Sequence, residues 1–211
     1  MKRVLLLTLF FCFVLNLHAQ RRNTYNNTIG VGIDVTSFNL QTDDVAVTGK
    51  IGWAAGLETR GKFRPFADLI FGIQLFNNNF SVEEAISGEE INMSVIGAEV
   101  KFLYAAKPWR SENFSFEIGP ALSFNGEYKV EDSRYEESII TGESAVLVSS
   151  FQETTPINFT GIAGFSAGTR KIRFSAHYHY AFLDALNGKN AQSEELNGTM
   201  SYLTFGLRLY L

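Results

Sequence analysis

Apolar and polar residues alternate one by one through most of this chain. The pattern is clearest at its end, where Leu203, Phe205, Leu207, Leu209 and Leu211 interleave with Tyr202, Thr204, Gly206, Arg208 and Tyr210. A period of two puts the two sets on opposite faces of a β-strand. Eight segments read this way, over about residues 28–37, 48–60, 63–76, 92–104, 114–128, 157–168, 172–183 and 199–211. In the first, Ile29, Val31, Ile33 and Val35 oppose Gly30, Gly32, Asp34 and Thr36. Each segment runs ten residues or more. Strands of soluble domains run about 5–6 residues, whereas a tilted membrane-crossing strand needs about 9–11. The lengths therefore predict an all-β fold, an eight-stranded antiparallel up-and-down transmembrane β-barrel over residues 28–211, and not a soluble sandwich.

The connections support that prediction by alternating in length. Gly61-Lys62, Ala105 to Asn113 and Thr169 to Lys171 are short; Phe38 to Val47, Asn77 to Ile91, Lys129 to Pro156 and Asp184 to Gly198 are long. Bacterial barrels keep short turns in the periplasm and long loops outside, which predicts the orientation. Lys129 to Pro156 leaves two readings open. It carries six acidic residues and the apolar run Ala145 to Val148. It forms either a hairpin above the membrane or a further strand pair, which would make ten strands. Ser138 to Thr141 is too short to span, which favours eight.

The other end of the chain adds an address. Lys2 and Arg3 precede an apolar run from Val4 to Leu15, and Leu17-His18-Ala19 precedes Gln20. A dozen apolar residues fall short of the roughly 20 that a spanning helix needs. Residues 1–19 thus read as a secretory signal peptide cut after Ala19, with residues 20–27 a short N-terminal segment. The single cysteine, Cys12, lies inside the run behind Phe10 and Phe11, so the mature chain is expected to hold no thiol, disulfide or lipid anchor. Cleavage leaves about 192 residues and moves the net charge from −4 to −6. That charge gives no support for nucleic-acid binding.

The predicted lumen face carries Asp34, Lys50, Glu58, Arg60, Arg64, Asp68, Glu99, Lys101, Glu117, Arg173 and Arg208. An eight-stranded barrel is just wide enough for side chains to fill, and buried charges persist only when paired. The mixed signs predict a salt-bridged polar plug rather than a narrow ion path. Glycines on the same face leave room for the long charged side chains. His177 and His179 sit two apart on one strand face and could share a metal or act as acid and base. No third ligand can be placed, so they are expected to belong to the plug. The aromatics Trp53, Tyr104, Tyr178, Tyr180 and Phe182 are expected on the outer face, at the interfacial girdles. Arg in place of Leu207 is expected to hinder assembly more than Arg in place of Thr204.

The chain as a whole resembles the small outer-membrane β-barrel family of Bacteroidota that includes PorT-like porin-family proteins. The resemblance rests on Leu17-His18-Ala19 before Gln20, on Ile162 to Tyr180 through Gly168-Thr169-Arg170-Lys171, and on Tyr202 to Leu211. The chain departs from such barrels by ending in Leu211 rather than an aromatic residue. The resemblance implies a barrel type, not an activity.

The expected function is a non-enzymatic outer-membrane barrel, structural or porin-like, with surface loops for interaction. Its expected partners are outer-membrane lipid, lipopolysaccharide and, during biogenesis, the barrel-assembly machinery. One alternative is an accessory subunit of a secretion or uptake complex. Another is a barrel enzyme acting on lipid or peptide, for which the nearest candidates are His179 with Asp184 and His177 with Ser175. Neither pair completes a catalytic constellation. No catalytic, cofactor or metal residue is therefore assigned, and no cofactor is expected.

Overall fold

The computed structural model describes residues 27–142 and 145–211. The proposed signal peptide and its cleavage site lie outside these residues. The strands are β1 (Thr28–Gln41), β2 (Val47–Gly49), β3 (Ile51–Arg64), β4 (Ala67–Glu83), β5 (Glu90–Ala106), β6 (Phe114–Asn125), β7 (Lys129–Val130), β8 (Ile139–Ile140), β9 (Val146–Leu147), β10 (Ile157–Gly168), β11 (Ile172–Ala181) and β12 (Thr199–Tyr210). A four-residue helix, α1 (Val148–Phe151), follows β9.

Eight of these strands form a closed wall in the order β1-β3-β4-β5-β6-β10-β11-β12, every neighbouring pair antiparallel. Pairing of β1 with β12, from Gly30 with Tyr210 to Gln41 with Thr199, shuts the barrel. Closure leaves no free sheet edge, which is what a strand protein in hydrocarbon requires. Among the described residues, 129–156 add no wall strand: β8 pairs with β9 and touches the β4–β5 connection through a single bridge from Ile140 to Glu84, and β7 pairs with the top of β5. The wall therefore has eight strands and not ten.

The outside of the wall is apolar. Ile33, Ile118, Phe174 and Phe205 are each more than half exposed, and similar residues recur on all eight strands. Soluble monomers rarely expose an apolar patch beyond about 600 Å2. A belt running round the whole barrel is compatible with lipid, not with water. Trp53, Tyr178, Tyr180 and Phe182 face outward, and Tyr104 is half-buried on the same face.

The alternation inverts near the loop end. In β1 the outward residues are apolar up to Val35, but beyond Ser37 the inward ones, Phe38 and Leu40, become apolar. In β4, Phe71, Ile73 and Leu75 point out, whereas Phe76, Phe80 and Val82 point in and Asn77 and Asn79 take the outer face. In β5, Ile91, Met93 and Val95 point in before Ile96 starts the outer row. The inversion marks where lipid gives way to water outside and where the filling changes inside.

Two connections differ from expectation. The first short turn is Pro65-Phe66, not Gly61-Lys62, because β3 runs on to Arg64. Proline favours the first corner of a tight turn, while Gly61 and Lys62 continue the pairing with Leu69 and Asp68. The stretch from Asn77 to Ile91 is mostly strand, and only Glu84 to Glu89 connects β4 to β5.

Candidate functional site: a charged lumen beneath an apolar cap

In the turn-side part of the barrel the lumen holds five buried carboxylates, Asp34, Glu58, Asp68, Glu99 and Glu117, and five buried cations, Arg60, Lys101, Lys107, Arg173 and Arg208. Alternation points them inward from different strands, so that they meet on the barrel axis. Glycines on the same face make room. A Cβ at Gly32 would stand 2.6 Å from Arg208 Cδ, and one at Gly72 would stand 2.9 Å from Lys101 Cε.

The charges form linked clusters. Near the turns, Asp68 takes Lys107 Nζ at 2.7 Å and Arg60 Nε at 2.9 Å. Arg60 continues to Glu117 at 3.0 Å and donates to the Ser115 hydroxyl at 2.8 Å. Glu117 also meets His177 Nε2 at 2.8 Å and accepts from the Ser166 hydroxyl. Glu58 accepts from Tyr210 and pairs with Arg208 at 3.3 Å and Lys101 at 3.4 Å. Arg208 Nη1 lies 2.9 Å from Asp34 Oδ1, off the hydrogen-bond line, since that oxygen has no aligned donor. Higher up, Glu99 accepts from Gln74 at 3.0 Å, Tyr202 at 2.9 Å and Ser123 at 3.2 Å, and contacts His179 Nδ1 at 3.3 Å. Lone buried charges cost several kcal/mol each; pairing and neutral donors keep this lumen tolerable.

Above Glu99 the filling turns apolar. Phe38, Phe80, Met93, Ile140, Val146, Phe151 and Leu196 belong to one buried cluster contributed by upper strands and loops. Val148 and Leu186 extend it. The rings of Phe80 and Tyr128 meet edge to face at 4.9 Å. The loops are thus packed across the mouth as a cap. Burial pushes the Tyr128 phenol well up from its ordinary value, and its hydroxyl has no hydrogen-bond partner among the described residues. The salt-bridged polar plug expected for the lumen is therefore corrected: in the turn-side part the charges share the space with a small buried apolar cluster of Ile70, Leu103, Ala105, Ala121 and Ile162, and an apolar cap fills the rest.

Nine of the eleven expected lumen charges are buried inside. Lys50 is not. It stands at the loop rim, 2.9 Å from Glu90, because β3 begins only at Ile51. Arg64 is not either: at the last position of β3 it is exposed, its guanidinium 5.3 Å over the Phe63 ring. Lys107 was missed. It lies just past the end of β5, where no periodicity operates, and turns back into the mouth toward Asp68. Glu112 in the same connection sits 3.5 Å from Lys107 and 3.0 Å from Lys62. Burial alone would raise the Glu112 carboxyl; the hydrogen bond from Lys62 and the charges of Lys107 and Lys62 outweigh it and hold it below its ordinary value.

His177 and His179 both point into the lumen, 6.4 Å apart between ring centres and nearly perpendicular. Each turns to its own carboxylate, Glu117 or Glu99, and His179 stacks on Tyr202 at 4.3 Å. His179 does not meet Asp184, which is exposed in the loop after β11. His177 does not meet Ser175, whose hydroxyl has no partner among the described residues. Among the described residues no three His, Cys, Asp or Glu side chains gather as a metal-holding group. A separate groove of about 570 Å3 on the outer wall, between Phe165, Phe174 and Phe205, lies in the lipid-facing belt.

No family model and no curated protein matches the chain. Solved structures do. Neisserial surface protein A is similar over 86% of this chain and 96% of its own, with a TM-score of 0.53 and 13% identity. Ail, the attachment invasion locus protein of Yersinia pestis, covers 88% and 99% at 13% identity, with a TM-score of 0.49. The outer membrane protein OprG of Pseudomonas aeruginosa covers 88% and 95% at 13% identity, with a TM-score of 0.47. At such identity, the likeness to the neisserial protein speaks for architecture alone, and the architecture is that of a small, closed, eight-stranded antiparallel barrel.

Proposed function

We propose that this chain is an outer-membrane barrel of a Gram-negative bacterium that does not conduct. It serves a structural or interaction role, with its long loops outside and its short turns in the periplasm. The observation that carries the reading is the double closure of the lumen. Ion pairs of Arg60, Asp68 and Glu117 fill one level, and the Phe80–Tyr128–Phe151 aromatics fill the next. A porin would need a continuous water-filled path between strands. At the loop end and around the wall, what remains for macromolecular partners is the lipid-facing belt and the loop surface. That surface is acidic, with sixteen Asp and Glu against four Lys and Arg over residues 42–50, 83–90, 126–156 and 182–198. Lipopolysaccharide is a fitting neighbour for these loops only through bridging divalent cations. The barrel-assembly machinery would insert the chain after export by the signal peptide.

The test has two arms. Washed outer membranes are run on a gel with and without boiling, and the purified barrel is placed in a planar bilayer. A compact band that shifts on boiling, with no steady current steps, is the expected result. A shift accompanied by regular conductance steps would replace the closed barrel with a channel. Recovery from the soluble periplasm with no shift would remove the membrane assignment.

A further inference from the structure

At the turn end the lumen opens into a cavity of about 230 Å3. Its lining includes four basic residues, Arg60, Lys62, Arg170 and Arg173, and two acids, Asp68 and Glu112. Both acids are already engaged. Asp68 lies between Arg60 and Lys107, and Glu112 between Lys62 and Lys107. Arg173 is only 3% exposed, and no carboxylate approaches it within ion-pair distance among the described residues. Its guanidinium donates only to uncharged acceptors. These are the Ser166 hydroxyl at 3.1 Å, the Glu112 carbonyl at 2.8 Å, the Ser115 hydroxyl at 3.3 Å and the Ser166 carbonyl at 3.1 Å. Four of its five N–H groups are used, and one on Nη1 has no acceptor among the described residues. A cation so placed leaves positive charge that the lining does not neutralise.

The surface around the opening has the same sign. The turn-side rim, made of the end of β3 with its turn (residues 61–66) and the connections 107–113 and 169–171, holds six Lys and Arg and one Glu. Lys62, Arg64, Arg110, Arg170 and Lys171 are exposed there. Trp109 at 94% and Phe66 at 52% exposure stand on the same rim. Aromatic residues of this kind settle at headgroup level, and a guanidinium fork is shaped for a phosphate.

We propose that the turn-side vestibule is a binding site for a phosphate group, held by Arg173 at its floor and by Lys62 and Arg170 at its lip. The group arrives either as free phosphate or on the headgroup of an anionic phospholipid in the adjoining leaflet. The free-phosphate case rests on the fold alone; the headgroup case also rests on the barrel standing in a membrane.

The test uses the full mature chain folded in a maltoside detergent, which carries no phosphate. Arginine Nε resonances are followed by NMR during titration with inorganic phosphate, with short-chain phosphatidylglycerol, and with chloride at matched ionic strength. A saturable shift of the Arg173 signal with phosphate and with the lipid supports the site with either source. A shift with the lipid alone assigns it to a headgroup. The double variant Lys62→Gln, Arg170→Gln changes only exposed lip residues. It is expected to keep the gel shift on boiling and to bind about tenfold more weakly, through two lost charge-assisted contacts. No saturable shift, an equal effect of chloride, or undiminished binding by the double variant would overturn the proposal. Loss of the gel shift in the wild-type sample would instead count against the barrel itself, so the two failures are distinguishable.

Discussion

Glu117 is the residue on which the lower lumen turns. It meets Arg60, His177 and Ser166 at once. Removing one partner of a buried pair costs roughly 3–5 kcal/mol when the other charge is left stranded; Arg60 would keep Asp68 at 2.9 Å, which sets the cost at the lower end of that range. Glu117→Ala is therefore expected to lower unfolding stability in vesicles by about that much, read from denaturant midpoints. A loss under about 1 kcal/mol would mean that Asp68, with any water that enters, satisfies Arg60 without Glu117. Tyr128 gives the opposite case. Its hydroxyl is buried in the cap without a partner among the described residues, and an unsatisfied polar group costs about 1–3 kcal/mol. Tyr128→Phe should leave stability unchanged or raise it by about 1 kcal/mol. A clear loss in the same denaturant series would reveal an acceptor for that hydroxyl. Most of the lumen charges were legible in the sequence because a strand fixes direction by parity. Lys107 was not, since past the end of β5 a side chain can turn either way. Lys50 and Arg64 sit where parity fails, one before its strand begins and one at the last position of its strand.

For a wall strand, what decides a substitution is depth as well as face. The expectation that Leu207→Arg disrupts more than Thr204→Arg weakens once Thr204 is seen to be 1% exposed in a filled lumen, because an arginine has no room there either. A cleaner comparison stays on the outer face. Phe205 pairs with Val35 and Ala176 well inside the apolar belt, whereas Ile29 lies at the turn-side end of β1. Phe205→Arg is expected to cost about 2–4 kcal/mol and Ile29→Arg about 0–1 kcal/mol, measured by refolding yield and denaturant midpoint in the same vesicles. Equal costs would move the belt toward the turns. The strands themselves were legible because lipid and lumen impose opposite demands on the two faces. Their upper ends were not. At Ser37 the apolar phase switches from odd to even positions, which reads in sequence as the end of a strand although the backbone continues to Gln41. Sought as a signal in its own right, that switch would have recovered the tops of β1, β4 and β5.

Seen whole, the molecule is two cores in one tube, mainly ionic near the turns, where Ile70, Leu103 and Ile162 pack among the charges, and apolar near the loops. The cap was the least legible part, because its residues come from loops without periodicity and meet only after the wall has closed around them. Val146 and Val148 looked like an isolated apolar run, and nothing nearby in sequence marked them as fully buried. The two cores make a prediction about closure. Replacing residues 129–155 by a short turn removes β7, β8, β9 and α1 from the cap but leaves the β6–β10 ladder and the ion pairs. That variant is expected to keep its gel shift on boiling and to remain silent in a planar bilayer, because the lower core still blocks the path. Current from it would show that the cap alone was the barrier.

The β4–β5 hairpin has a consequence in time. Its two strands stay in register from Ala67 with Ala106 to Glu83 with Glu90, across a connection of six residues. The cap leans on it. β2 pairs with Val82, Ser81 and Phe80, β7 with Met93 and Ser94, and Thr141 donates to the Glu83 carbonyl. Contacts so local in sequence form early, whereas the seam between Gly30 and Tyr210 must wait for nearly the whole chain. The hairpin is thus positioned to stand before the seam, as a mast to which the surrounding loops are later rigged, and the β1–β12 seam is the last stitch to be drawn.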